Sequence, residues 1–477
     1  MSQLDFYRTF FDAKWSDRAS HLDRINRVQQ KRLRQLLTHA FQHVPFQKRR
    51  CGGRMVDDLK AIQPTDKLEM LESFVDTLDQ VKIGRWGFSP DELCKILENP
   101  KSFPPWHKNR LLVSTTSGTT GQMGIVINSR KSWDRQRAAV FSRTCRGAIP
   151  VWRFNPLKPY RMAYAVIGDP WSVSYHAVLD SISSNSALAK IKMFHIEKSM
   201  DELVQNIGKF KPDFLQSYPN YLELFADLQL NDRVFDSPPN VISSGGDLLS
   251  EQQRTKIKRA FPKSRIVNHY GATECLPLAN TCQHGSLHLN SDYVVVELVD
   301  ESDVPVPVGQ FSSQILITNL LNFTQPFIRY RIPDTVRMLA QPCNCGSPLP
   351  VIEIKGRSYP LLHVSNNWDQ NSSLEGTAIL SAMLSVAGIS KFHIEYHRVN
   401  EIEITIFEKN SSTTNHPPGR NSAGDRKQAV HSAMMRLLAV NVCDRSVRVS
   451  VKLLTDTGPT PNTYKKKIFM ISVTPPT

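Results

Sequence analysis

The chain has 477 residues, more than one hydrophobic core can organise, so two or three domains are expected. Its 40% hydrophobic fraction holds no apolar run of membrane-spanning length, and Asp5, Arg8, Asp12 and Lys14 interrupt the N-terminus, which argues against a spanning protein or secretory leader and for a cytoplasmic one. The formal charge of +15 favours anionic partners, yet the basic residues are scattered, with short clusters at 31–35, 47–50 and 464–469 and no RNA-recognition or zinc-finger signature, so nucleic acid is not expected.

In chain order, residues 22–44 place Ile25, Val28, Leu33, Leu36, Leu37, Ala40, Phe41 and Val44 mostly three or four apart, which predicts an amphipathic helix ending at Pro45. From about 110 to 270, short apolar runs alternate with helical stretches. LLVS, GIVIN, RMAYAVIG, DFLQS, NVISS and RIVNHYG read as strands. MDELVQNIGKF, NYLELFADLQL and SEQQRTKIKRAF read as helices, so this part is an α/β domain. Residues 286–339 read as successive strands of an antiparallel or barrel-like subdomain. Beyond about 356, helical LEGTAILSAMLSVA and DRKQAVHSAMMRLLAV and the strands KFHIEYHRV, EIEITIFEK and SVRVSVKLL predict a small α+β domain, with a polar loop at 410–425. The expected division is a large multi-subdomain α/β domain over 1–355 and a small α+β lid over 356–477.

The stretch LLVSTTSGTTGQMGIVINS (111–129) joins two strands through serine, threonine and glycine. Such a loop offers unobstructed backbone N–H groups and hydroxyls to phosphate oxygens. It is not a Walker A loop, because no Gly-Lys-Ser/Thr follows Gly118 and Gly121, and its composition alone equally fits a flexible hairpin.

TTSGTTGQMG resembles the phosphate-binding loop of adenylate-forming ligases, and four further segments match that superfamily in order. These are NHYGATE (268–274), IRYRIPD (328–334), IKGRSYP (354–360) and TPNTYKKKIFMIS (460–472). LRQLLTHAFQHVPF, ITNLLNFTQPFIRYR and CNCG with IKGRS are similar to the phenylacetate–CoA ligase branch. The resemblance covers almost the whole chain. It implies attack of a carboxylate on the α-phosphate of ATP, giving an acyl-adenylate and pyrophosphate, through positioning and charge neutralisation.

By that resemblance, Thr115, Thr116, Ser117, Gly118, Thr119, Thr120 and Gly121 cradle the β- and γ-phosphates. Glu274 helps hold Mg²⁺ with Thr273 near the α-phosphate, Tyr270 and Gly271 border the adenine or acyl pocket, and Gly245 and Gly246 pass beside adenine. Asp334 takes the ribose hydroxyls, and Arg357 reaches ribose or phosphate. Lys466 is the mobile lysine of the lid, with Lys465 or Lys467 as alternatives in that run. The acid is expected to be small and aromatic or apolar. Tyr175, His176, Tyr218 and Tyr221 are candidates for its pocket, although His176 reads equally as a core histidine.

Tyr359 and Pro360 stand where the family has a pair of aspartates at the domain junction, and Pro333 replaces a glycine before Asp334. Proline restricts itself and its predecessor, and LLHVSNNWDQNSS stands where CoA-using relatives have a glycine-bearing loop beside the pantetheine tunnel, so adenylation is better supported than transfer to CoA. The acceptor is then CoA, an amine, a carrier-protein thiol or another small nucleophile; a catalytically degenerate nucleotide binder is a further reading.

Of eight cysteines, Cys51, Cys94, Cys145 and Cys443 stand alone, and a disulfide framework is not expected. Cys282 and His288 in CQHGSLH, with Cys343 and Cys345 in CNCG, make a set of three thiolates and one imidazole that suits structural zinc, with His284 as the alternative nitrogen ligand. Some members of the phenylacetate–CoA ligase branch carry a similar arrangement. Cys275 has no identifiable base and is given no nucleophilic role.

Overall fold

The computed structural model describes residues 2–16, 22–116, 123–148, 159–183, 189–196, 198, 200–357, 362–363, 373–374, 391–398, 401–409, 423–441, 448–456 and 468–473. The chain divides into two compact units, a large one of residues 1–116 and 124–355 and a smaller one that holds residues 356–477.

The large unit opens with helices α1 (Ser2–Ser16), α2 (Leu22–His43) and α3 (Pro45–Arg50). Along α2 the expected spacing buries Ile25, Leu33, Leu36, Leu37 and Ala40, and Pro45 starts α3 because the first turn of a helix needs no N–H there. Three short helices follow: α4 (Lys67–Glu72), α5 (Gln80–Arg85) and α6 (Pro90–Glu98). Asp66, Asp79 and Ser89 cap them, each side-chain oxygen accepting from the N–H three residues on.

Strands β1 (Trp106–His107), β2 (Leu111–Thr115) and β3 (Ile125–Ser129) make a small antiparallel sheet, and α7 (Arg130–Ala148) leaves its end. A nine-stranded sheet then builds from β4 (Tyr160–Val166), β5 (Ala189–His195), β6 (Phe214–Ser217), β7 (Val241–Gly245) and β8 (Arg265–Tyr270), all parallel. Their crossovers are helices α8 (Val173–Ser183), α9 (Met200–Phe210), α10 (Pro219–Asp232) and α11 (Glu251–Ala260), as parallel pairing demands.

Beyond β8 the sheet continues through β9 (Ala279–Thr281) and β10 (Leu287–Leu289), both antiparallel to their neighbours. The chain then makes the antiparallel three-stranded sheet β11 (Val294–Val299), β12 (Gln314–Asn319) and β13 (Tyr330–Ile332). It returns to the large sheet as β14 (Asp334–Met338) and β15 (Val351–Arg357). The strand order is β14-β15-β10-β9-β8-β7-β6-β4-β5. At its far edge, β5 turns Lys190, Lys192 and His195 outward to solvent.

This order has a consequence for binding. The connection from β4 runs to β5 on one side, whereas the chain re-enters on the other side of β4 as β6 and continues to β7 and β8. Strand order therefore reverses between β4 and β6, and a crevice opens outside the carboxyl ends of the strands there.

In the small unit, β16 (Leu362–His363) pairs with β17 (Ser373–Leu374). A second sheet orders β18 (Lys391–Arg398), β19 (Glu401–Lys409), β20 (Arg448–Asp456) and β21 (Ile468–Val473) as β20-β19-β18-β21. Helix α12 (Ala423–Asn441) crosses between the parallel β19 and β20, burying Val430, Ala433 and Met434, while Ile404 and Ile406 of β19 are buried too. The expected helix over 374–387 lies outside the described residues except Leu374, which is in β17. Of the expected polar loop at 410–425, residues 423–425 begin α12.

Candidate functional site

Each carboxyl-terminal strand end at the crevice carries residues singled out from the sequence. After β4, the Trp171 carbonyl accepts the N–H of Thr115 at 3.0 Å, fixing the start of the Ser/Thr/Gly loop beside the first turn of α8. Thr116 and Gly124 close the base of that loop: Thr116 donates its N–H to the Gly124 carbonyl at 2.9 Å, and its hydroxyl accepts the Gly124 N–H at 2.8 Å. Ser117, Gly118, Thr119, Thr120 and Gly121 lie outside the described residues.

After β6, Tyr218 shares a hydrogen bond of 3.0 Å with Ser174 of α8, and Ser174 another of 2.7 Å with Ser172. After β7, Gly246 has φ +83, and a Cβ there would meet Tyr218 Cε1 at 2.8 Å, so only glycine lets the strand end pass the ring. Gly245 precedes it at the end of β7. Tyr221 turns its hydroxyl toward the Ile196 carbonyl at 3.5 Å, and Tyr175 packs against the rings of His176 and His195.

After β8, the backbones of Ala272 and Cys275 bond reciprocally, a tight turn that presents Thr273 and Glu274. A Cβ on Gly271 would collide with the Leu276 carbonyl, so the turn can close this tightly only over glycine. Buried Gln136 of α7 accepts from Leu276 N–H at 3.2 Å and from Asn319 at 3.0 Å, while Asn319 also donates to the Glu274 carbonyl at 2.8 Å. The Glu274 carboxylate accepts from Tyr330 at 3.1 Å, and Tyr270 donates to Asp334 at 2.5 Å. Two of the expected motifs, 268–274 and 328–334, are thus bonded to each other through both carboxylates. Cys275 is fully buried and its thiol is pushed up by burial and by Glu274, which suits packing and no nucleophilic role.

One residue missed in the sequence joins this group. Lys67, the first residue of α4, runs its side chain past Thr116 and Gly124, its Cδ 3.3 Å from where a Gly124 Cβ would stand. Its position is held by Thr65, which pairs with Tyr330 and bonds Arg329 and Arg331 through the backbone at 3.0 and 2.8 Å. The available signal was chemical: the loop has no lysine of its own, so a cation for it has to come from elsewhere in the chain.

His176 is 3% exposed and packs edge-on against the Tyr175 ring. Burial pushes its imidazole below the ordinary histidine range. The backbone of Arg357 ends β15, and Gly356 before it has φ +143. Tyr359, Pro360 and the lysine run with Lys466 lie outside the described residues.

A second constellation lies at the other end of the sheet. Ligand atoms of Cys282, His288, Cys343 and Cys345 all fall within 4.8 Å of one another. Cys282 Sγ is 3.7 Å from Cys343 Sγ, and Cys345 Sγ is 3.4 Å from His288 Nε2. His288 Nδ1 lies 2.8 Å from the Leu349 carbonyl, which as acceptor leaves Nε2 with a lone pair facing the thiols. Burial and the neighbouring thiols push Cys345 up to about 12, because three sulfurs in one place cannot all ionise without a cation. His284 is exposed and outside the set, so the geometry selects His288 as its nitrogen.

Among the described residues, no helix is long and apolar enough to cross a membrane. The family described as AMP-binding enzyme matches residues 26–311. The phenylacetate-coenzyme A ligase of Escherichia coli K12 is 23% identical over 413 residues, 82% of this chain and 84% of the relative. The enzyme of the same name from Aromatoleum evansii is 22% identical over 356 residues, 71% of this chain and 72% of the relative. A solved structure of 2-hydroxyisobutyryl-CoA ligase, in its postadenylation state, shares the fold with a TM-score of 0.60 at 16% identity, over 93% of this chain and 89% of that one. With its family match spanning most of the α/β unit and its strand-end residues gathered at one crevice, the chain belongs to the AMP-binding enzyme family.

Proposed function

We propose that this protein activates a carboxylic acid with ATP, forming an acyl-adenylate and pyrophosphate, and passes the acyl group to a thiol, with CoA the first candidate. The observation that carries the reading is the pairing of Tyr270 with Asp334 and of Tyr330 with Glu274, which holds two carboxylates of different duty at one strand-end crevice. In the reaction the acid's oxygen attacks the α-phosphorus, a new C–O–P linkage forms, and the bond to the β-phosphate breaks. Repulsion between anions is the main barrier, so the site has to supply donors and cations.

Asp334 accepts from the ribose hydroxyls, and the loop from Thr115 to Gly121 wraps the terminal phosphates. Lys67 supplies a positive charge at the loop base. Glu274 offers a hard carboxylate oxygen that suits Mg²⁺, which would neutralise phosphate charge there, with Thr273 beside it. Arg357, at the end of β15, and Lys466 are the further cations that the family resemblance assigns to the nucleotide. An aromatic or otherwise apolar body for the acid and a CoA acceptor are supported by the names of the phenylacetate-coenzyme A ligase relatives. Zinc is the proposed occupant of the Cys282, His288, Cys343 and Cys345 set. All four positions would be filled by protein, so its role is structural.

The test is acid-dependent pyrophosphate release with ATP and Mg²⁺, with and without CoA, in the wild type and in Lys466→Ala. Release that needs an acid and falls at least ~100-fold in the variant supports the reading, and thioester formed only with CoA assigns the acceptor. ATP binding without release for any acid would overturn it in favour of a nucleotide binder.

A further inference from the structure

Two separate turns bring cysteines together. Cys282 follows β9: its N–H donates to the Ser286 carbonyl at 2.8 Å, and its own carbonyl accepts from Gly285 at 3.2 Å. In the connection between β14 and β15, the Gly346 N–H donates to the Cys343 carbonyl at 3.2 Å. The first residue of each turn faces the other, with the Sγ atoms of Cys282 and Cys343 3.7 Å apart.

The third thiol is placed differently. Cys345 Sγ lies 3.4 Å from His288 Nε2 and accepts the Ser347 N–H at 3.4 Å. Cys282 Sγ accepts the His284 N–H at 3.3 Å, and Cys343 Sγ is 3.3 Å from Ser286 Oγ. Cys282 and Cys343 therefore meet across two segments of the chain, whereas a bond between Cys343 and Cys345 would tie one turn only to itself.

All three thiols are half-buried, so a small oxidant in water reaches them, in contrast to the fully buried Cys275. Closing a gap of 3.7 Å to the roughly 2.0 Å of a disulfide is within the reach of side-chain rotation.

We propose, resting on the zinc assignment above, that this set is also a redox-sensitive site, in which a peroxide links Cys282 to Cys343 and the metal is released. One thiolate attacks a peroxide oxygen, the O–O bond breaks, hydroxide leaves and a sulfenic acid forms. The second thiolate attacks that sulfur, the S–S bond forms, and the S–O bond breaks with loss of a second hydroxide. Two protons turn both hydroxides into water, so two thiolates give up the two electrons that one peroxide takes. Only Cys345 and His288 then remain as ligands, too few for a closed tetrahedral set. The hairpin and the segment before β15 stay tied, now by a covalent bond that a dithiol can reverse.

The experiment loads the full chain with one equivalent of zinc and titrates it with hydrogen peroxide. Released metal is read with a chromogenic chelator. Linked cysteines are read by alkylation and peptide mass mapping, before and after dithiothreitol. The expected result is zinc released in step with one disulfide per chain, mapped to Cys282 and Cys343, with the dithiol restoring both thiols and zinc uptake. Cys345→Ser breaks the metal set but keeps the two facing sulfurs, so it should form the same disulfide, and Cys282→Ser should form none. A link from Cys345 to either other cysteine, sulfinic acid in place of a disulfide, or zinc kept throughout would overturn the inference. A chain that takes up no zinc dismisses the zinc assignment alone. Peroxide linking Cys282 to Cys343 in that chain would still support the redox site, and failure to link them would overturn it.

Discussion

Single residues at the crevice are constrained by contact as much as by charge. Gly246 is the clearest case, since its positive φ and its approach to the Tyr218 ring each forbid a side chain. Gly52 shares the positive φ, +61, but has nothing within 4 Å of its missing Cβ. The two therefore separate backbone strain from collision. Gly52→Ala should cost roughly 1 kcal/mol of stability from strain alone and leave nucleotide and acid affinity intact. Gly246→Ala should displace Tyr218 as well and weaken acid-dependent pyrophosphate exchange by about tenfold or more. Urea midpoints and exchange kinetics on both variants check this, and equal effects on exchange would remove the positioning role of Gly246.

At the scale of elements, the strand ends were legible because apolar β-branched runs stop where glycine and polar residues begin. Helix α9 falls over the expected 200–210, Met200–Phe210, since its apolar residues keep helical spacing and Asp201 and Glu202 open it. Helix α7 was not read from the sequence, because its inner face is polar: Gln136, Arg137 and Arg143 are buried there, so apolar periodicity is weak. Within the successive strands expected over 286–339, the strand at 330–332 starts late: Arg329 just before it takes φ +48, and its guanidinium meets Glu297 at 3.0 Å from two nitrogens. The motif residues were legible as a family pattern, whereas Lys67 comes beside Thr116 and Gly124 only through tertiary packing that no local spacing encodes.

The cysteine cluster is also an element-scale device. It ties the β9–β10 hairpin to the segment that leads into β15, the strand that ends the large unit. Closing such a loop by a covalent or metal link is worth about 2–5 kcal/mol. Cys345→Ser should therefore lower bound zinc below one equivalent and reduce the urea midpoint, and a strong chelator should do the same to the wild type but not to the variant. Metal analysis beside unfolding curves tests it; a wild type that carries no metal and is indifferent to chelator would dismiss the zinc assignment.

Across the whole molecule, one buried carboxylate links distant parts of the large unit. Asp79 caps α5, its N–H donates to the Thr324 carbonyl at 2.9 Å, and its carboxylate meets His39 of α2 at 2.9 Å and Lys82 at 2.7 Å. Burial alone would push the Asp79 carboxyl up, but hydrogen bonds from His39 and Lys82 outweigh it and hold it well below the usual carboxylate range. Because the folded value is the lower one, this stabilisation is present above about pH 4, the unfolded value, and is lost as pH falls further. Asp79→Asn should cost about 1–3 kcal/mol near neutrality, at the modest end for such clusters because Lys82 is part exposed, and the gap should narrow below pH 4. Urea midpoints of the two proteins between pH 7 and 3 would show it, and a constant gap would refute the linkage.

The outward lysines of β5 matter to crowding. Among the described residues no strand pairs beyond β5, and a parallel edge of that kind offers a row of amides onto which another chain could zip. Lys190 and Lys192 put repelling charges along that row, so that two molecules meeting edge to edge separate and do not polymerise. Acetylation of those two side chains, or salt high enough to screen them, would weaken that guard and favour edge-to-edge association.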